Sequence, residues 1–171
     1  MQQPAAAGAG PRKPYANIPA MACPYFYPVE RFSESAWRKH PRLPLGDPYT
    51  GVCHVDPVRD SLPDDATLKQ FCNLGYARLG CPRFPADAAT DAYRFSVVSD
   101  DAETIRVFYV TERGHRTLEH GTLEYKVETQ QFAGGRAGSS RTFERQAEAY
   151  VASYLRRKHE PDMEARNTHR R

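Results

Sequence analysis

Apolar and polar residues alternate with a period of two along residues 91–128. Tyr93, Phe95 and Val97 alternate with Arg94, Ser96 and Val98. Ile105, Val107 and Tyr109 alternate with Arg106, Phe108 and Val110, and Leu123, Tyr125 and Val127 with Thr122, Glu124 and Lys126. This period, with its β-branched and aromatic enrichment, predicts three strands. Ser99-Asp100-Asp101 and Arg113-Gly114 supply the turns. Such short connections predict an antiparallel meander. Phe108 and Val110 make the second strand apolar on both faces, which places it in the middle, covered on at least one side.

Beyond the glycine-rich stretch Gly134-Gly135-Arg136-Ala137-Gly138 the spacing becomes helical. Phe143, Ala147, Tyr150, Val151 and Tyr154 form one apolar stripe, opposite Arg141, Arg145, Glu148 and Arg156. Ser139 or Ser140 is the expected N-cap and Lys158 the approximate end. This helix is expected to pack on the meander.

Residues 21–88 show neither period for long. Thirteen of the 14 prolines fall within residues 1–85, and they exclude long helices and central strands there. Two short helices fit. One covers roughly 33–39 and carries Trp37. The other covers roughly 64–73, capped by Asp64, with Leu68, Phe71 and Cys72 on one face. The chain thus reads as α+β: a loop-rich four-Cys N-terminal segment, a three-stranded antiparallel meander and a C-terminal helix. The expected domain is residues 21–158, divided into 21–88 and 91–158. Residues 1–20, rich in Pro, Ala and Gly, and the polar tail 159–171 are expected to be disordered.

Composition narrows the function classes. The 171 residues have a mean hydropathy of −0.71, and no apolar run approaches the roughly 18 residues of a membrane span. Arg12 and Lys13 follow the small residues of the N-terminus instead of preceding an apolar run, so no secretory signal is read and a cytoplasmic location is expected. The net charge of +3 resides in residues 141–171, which hold eight Arg/Lys against five Asp/Glu. A basic tail is not the broad basic face that nucleic acid requires.

The chemistry lies in four cysteines: Cys23, Cys53, Cys72 and Cys81, separated by 29, 18 and 8 residues. In a reducing compartment such a set points to metal or redox chemistry before disulfides. Structural zinc sites use paired knuckles two to four residues apart, absent here. Iron–sulfur clusters accept four scattered thiolates. Pro24 and Pro82 directly follow two of the cysteines, as in ferredoxin-type ligand loops. Tyr25, Phe26, Tyr27, Phe71, Tyr76 and Phe84 flank them, and bulky apolar groups keep water from iron. All four cysteines are therefore the expected ligands of an iron–sulfur cluster, with zinc as the alternative metal and buried inert thiols as the third reading. His54, beside Cys53, could replace a thiolate.

Other candidates are weaker. His115, Glu119, His120 and Glu124 lie close in sequence, and His120 and Glu124 share a strand face where they could act as an acid–base pair or bind a metal, but a solvated hairpin face is the favoured reading. Gly121 suggests a bulge. Trp37, beside Arg38, Lys39 and His40, could meet an anionic ligand or be a half-buried packing residue. No phosphate loop or nucleophile elbow is present.

The strings CPYFYPVERF, PRLPLGDPYTGVC, FCNLGYARLGCPRFP and EHGTLEY resemble a group of uncharacterised bacterial four-cysteine proteins. In that group the same cysteine blocks precede a short β-rich region and a terminal helix. The resemblance spans roughly residues 21–158 and implies no reaction or catalytic residue. The functional expectation is electron transfer or redox sensing with a protein redox partner. The alternative is a non-enzymatic interaction module, zinc-stapled or metal-free, that presents the helix of residues 140–158.

Overall fold

The computed structural model describes residues 21–32, 43–56, 58–134 and 139–168, with side chains described as far as 159. The expected helix carrying Trp37 and the expected disorder of residues 1–20 lie outside the described residues. Strands β1 (Phe26–Arg31) and β2 (Tyr49–Cys53) form an antiparallel ribbon, and β3 (Ala92–Asp100), β4 (Thr104–Arg113), β5 (Arg116–Lys126) and β6 (Gln131–Phe132) form a four-stranded sheet in sequence order. Helix α1 (Asp65–Thr67) runs into a π-helical turn, Leu68–Cys72, and helix α2 spans Arg141–Thr168. Among the described residues no helix is long and apolar enough to cross a membrane.

The three expected strands exist, and their alternation orients the sheet. Phe95 pairs with Tyr109, and Val97 with Val107, so one face is continuously apolar. Helix α2 covers that face. The Phe143 ring meets Tyr93 and Tyr109 edge-on, each at 5.1 Å, and Ala147 and Val151 are fully buried beside it. Ser140 caps the helix, accepting from the Phe143 amide at 3.1 Å. Phe108 and Val110, on the other face, are half-buried.

The meander has a fourth strand, not three. Residues 131–132 return beside β5, with Tyr125 opposite Phe132 and their rings edge-on at 5.2 Å. Two residues are too few to show a period. Gly121 is not at a bulge. It stands opposite Tyr109, and a Cβ there would lie 2.7 Å from the Tyr109 hydroxyl, so glycine makes room for that ring. The irregularity falls between Thr111 and Glu112 instead.

The N-terminal half is not purely loops. Pro28 is tolerated in β1 because a two-stranded ribbon consists only of edges. Helix α2 also packs on this ribbon. Arg145, expected on the solvent face, donates to the carbonyls of Pro28 and Val29. At the other end of the described side chains, Arg156 and Arg157 face Asp47, and Lys158 and Tyr154 both hold Asp100. Much of the basic charge of this helix is therefore matched within the molecule. Lys158 does not end the helix, which continues to Thr168.

Candidate metal centre

Four separate pieces of chain carry the cysteines. Cys23 opens a turn in which the Phe26 amide donates to the Cys23 carbonyl at 3.1 Å, and Cys81 opens a turn in which the Phe84 amide donates to the Cys81 carbonyl at 3.1 Å. The two turns have the same sequence form, Cys-Pro-x-Phe. Proline presets the dihedral of the second turn position and brings no amide of its own. The turns approach each other, with the Tyr25 and Phe84 rings edge-on at 5.4 Å. This repeated tetrapeptide is a signal beyond the Cys-Pro pairs themselves.

Cys53 ends β2, opposite Phe26, and is bridged on its other side to Ser61 by hydrogen bonds of 2.8 and 3.2 Å. Cys72 ends the π-helical turn. Such turns widen a helix and frequently accompany functional sites. The next residue, Asn73, is buried and locks this end. Its amide donates to the carbonyls of Tyr49 and Leu68, and its oxygen accepts from the Tyr49 amide at 2.8 Å. Tyr49 in turn reaches α2 through its hydroxyl, at 2.9 Å from the Ala149 carbonyl and 2.8 Å from Ser153 Oγ. Asn73→Ala leaves the Tyr49 amide and carbonyl without these partners and is expected to destabilise the fold by about 3 kcal/mol. Urea unfolding measures this, and a loss within about 0.5 kcal/mol contradicts the locking role.

All four cysteines line one cavity, walled by Tyr25, Phe26, Val55, Phe71 and Phe84. The space between atoms is about 340 Å³, partly continuous with solvent, in clefts so thin that about one water molecule would fit. Cys23, Cys53 and Cys72 are buried, and Cys81 is partly exposed. All four are free thiols. Among the described residues no three His, Cys, Asp or Glu side chains gather closely enough to hold a single metal ion. The thiols stand around the walls of the cavity and do not meet at a point.

Burial favours the neutral form of the thiols. Burial pushes the Cys23 thiol up to about 12, although the amides of Tyr25 and Phe26 point at it and favour the thiolate. Burial also raises Cys72, with the other three thiols adding to the effect and Arg83 opposing it. Arg83 is the one charged side chain among the lining residues. Removing thiol protons here therefore needs a positive partner inside the cavity. Four sulfur donors, apolar walls and amides directed at one sulfur are the donor chemistry of a thiolate-bound metal or cluster, but the narrow cavity does not hold one with the thiols placed as they are.

The other expected site residues are dispersed. His54 is absent from the cavity walls. It stacks on Tyr27 with ring centres 4.8 Å apart, lies 3.2 Å from Thr142 Oγ1, and meets Asp60 at 3.1 Å. His115 stacks on Tyr76 at 3.9 Å, His120 lies against Phe108, and Glu119 accepts from the Tyr109 hydroxyl. Glu124 pairs with Arg106 at 3.3 Å. These four residues do not form one site.

No protein-family model, curated protein or solved structure matches the chain.

Proposed function

We propose that the protein is an iron–sulfur protein of electron transfer or redox sensing, with Cys23, Cys53, Cys72 and Cys81 as ligands and a protein redox partner. The observation that carries this reading is the convergence of four cysteines, scattered over residues 23–81, on one apolar cavity. Cys23 and Cys72 also belong to the hydrophobic core, with Cys81 packed against it, so it is the gathering of all four around one cavity, not their burial, that supports the reading. Their dispersal around the cavity favours a cluster, whose ligands bind different irons, over one zinc ion, whose four sulfurs would meet at about 2.3 Å from a single centre. A bound cluster supplies one-electron chemistry. The protein supplies the thiolates, the water-excluding aromatic walls and the amides of Tyr25 and Phe26. Four protein ligands leave no position for substrate, which favours electron transfer over catalysis.

Structural zinc is the second reading, favoured by the narrowness of the cavity. Presentation of α2 as a docking element is less well supported, because Phe143, Ala147 and Val151 are committed to the core.

The test is purification under strict anaerobiosis, followed by iron, sulfide and zinc analysis and an absorption spectrum. Iron and sulfide with a band near about 400 nm are expected. Stoichiometric zinc without iron would replace the cluster by the second reading, and a protein that takes up neither metal sinks both.

A further inference from the structure

A second cleft opens where the four-stranded sheet meets α2, and it shares no lining residue with the cysteine cavity. The space between its atoms is about 750 Å³, open solvent at its mouth included. Its floor is apolar: Leu123 of β5, Phe132 of β6, and Phe143 and Ala147 of α2. Glu144 and Glu148, both exposed and one helical turn apart on α2, form its rim. The described lining residues include no Lys, Arg or His. Ser139 Oγ donates to Glu144 at 2.5 Å, and Arg145 pairs with Glu148 at 3.2 Å. Each carboxylate has further acceptor positions. Burial raises the Tyr125 phenol and the Glu148 charge adds to the effect, so that charge is felt at the sheet.

The sheet edge beside this cleft is open. Strand β6 pairs only with Tyr125 and Lys126, and the Ala133 amide then donates to the Glu124 carbonyl at 2.7 Å. Strand β5 begins at Arg116, yet no described strand pairs with it on that side before Glu124. Backbone groups alternate between the two sides of a strand, so those of His120 and Thr122 point the same way as the Glu124 carbonyl. An unpaired row of this kind is a template for one more strand. A strand added there continues the line of β6, and every second side chain on it lies on the face that α2 covers. A Lys or Arg at such a position lays its stem along the apolar floor and carries its charge to the rim.

We infer that this cleft and edge dock an extended, basic segment of a partner protein, which pairs with β5 through its main chain and sets alternate Lys or Arg side chains against Glu144 and Glu148. Main-chain bonds and the apolar floor supply affinity, and the two carboxylates select a basic strand over an acidic one. The inference does not depend on a metal at the cysteines.

The probe is a fluorescein-labelled peptide of alternating Val and Arg, titrated with the full chain and followed by anisotropy. The double variant Glu144→Gln/Glu148→Gln keeps the hydrogen-bond acceptors and removes both charges. It is expected to bind about tenfold more weakly than the parent protein at low salt, with the difference shrinking as salt rises. The same peptide with Glu in place of Arg is expected not to bind. Thr122→Pro, checked for folding by circular dichroism, removes one edge amide and is expected to weaken binding as well. Equal binding by parent and double variant, equal binding of the acidic peptide, unchanged affinity in a folded Thr122→Pro, or no saturable binding of the basic peptide overturns the inference. So do dimers in sedimentation that Thr122→Pro dissolves, which assign the edge to a second copy. Binding seen only in Arg136→Ala also overturns it, since the chain's own arginine then competes for the cleft.

Discussion

Cys23→Ser is expected to yield a protein without iron and without absorbance near about 400 nm, and one that unfolds well below the parent protein. Cys23 sits where the centre joins the rest of the fold. Its carbonyl receives the Gln146 amide, and its neighbour Ala22 is paired to the sheet. A ligand that binds only the folded chain stabilises it by mass action, by about 2.7 kcal/mol at roughly 100-fold excess over its Kd. Losing one of four thiolates removes most of that linkage. The serine hydroxyl, in a wall of apolar residues, adds about 1–3 kcal/mol where it finds no partner. The measurement is a denaturant titration of parent and variant, each with and without an iron chelator. Chelator lowers the parent's midpoint and leaves that of Cys23→Ser unchanged. A parent protein indifferent to chelator, with the variant equally stable, refutes a metal-stapled centre.

The second large effect is expected at Asp91, a fully buried carboxylate. It pairs with Arg78, accepts from the Tyr76 hydroxyl at 3.2 Å, and receives the Gly114 amide at 2.7 Å. Arg78 also donates to the carbonyls of Ala86 and Ala88. The network joins the turn between β4 and β5 to the segment between Cys72 and Cys81. Asp91→Ala leaves the Arg78 guanidinium partly buried without its counter-charge and is expected to destabilise by about 3–5 kcal/mol. Burial works to raise the Asp91 carboxyl, but the Gly114 amide and Arg78 outweigh it, and the group lies below the ordinary aspartate value. A lowered folded value means that the contribution is fully present above the unfolded value, about 3.9, and is lost as pH falls through the folded one. Stability of the parent protein should therefore fall more steeply below about pH 4 than that of Asp91→Asn. Parallel pH profiles for the two proteins would remove Asp91 as a source of acid sensitivity.

Much of the C-terminal half was legible because its signals are local. The period-two runs at 93–97, 105–110 and 123–127 became β3, β4 and β5, and the stripe from Phe143 to Tyr154 became the buried side of α2. The Asp64 cap was also legible, because its oxygens meet the Thr67 amide and hydroxyl only three residues away. The ribbon was not. Tyr49–Cys53 carries a glycine whose Cβ would lie 2.2 Å from the Tyr27 carbonyl, a close approach that only the paired partner reveals. Likewise, Arg145 reads as a solvent residue from its place on the helix, and β1 alone turns it into a ligand for two carbonyls.

Local composition by itself determined the α+β class, the proline-rich half and the presence of four cysteines there. The tertiary structure decided that those cysteines face one cavity, that Cys81 is the one partly exposed among them, and that the His and Glu residues around β5 disperse. The physical reason is range. Period, caps and turns act over a few residues, whereas intervals of 29, 18 and 8 residues between cysteines carry no geometry until long-range contacts close the loops. Gln146, Asn73, Asp91 and the Ala22–Tyr93 bridge supply much of that closure.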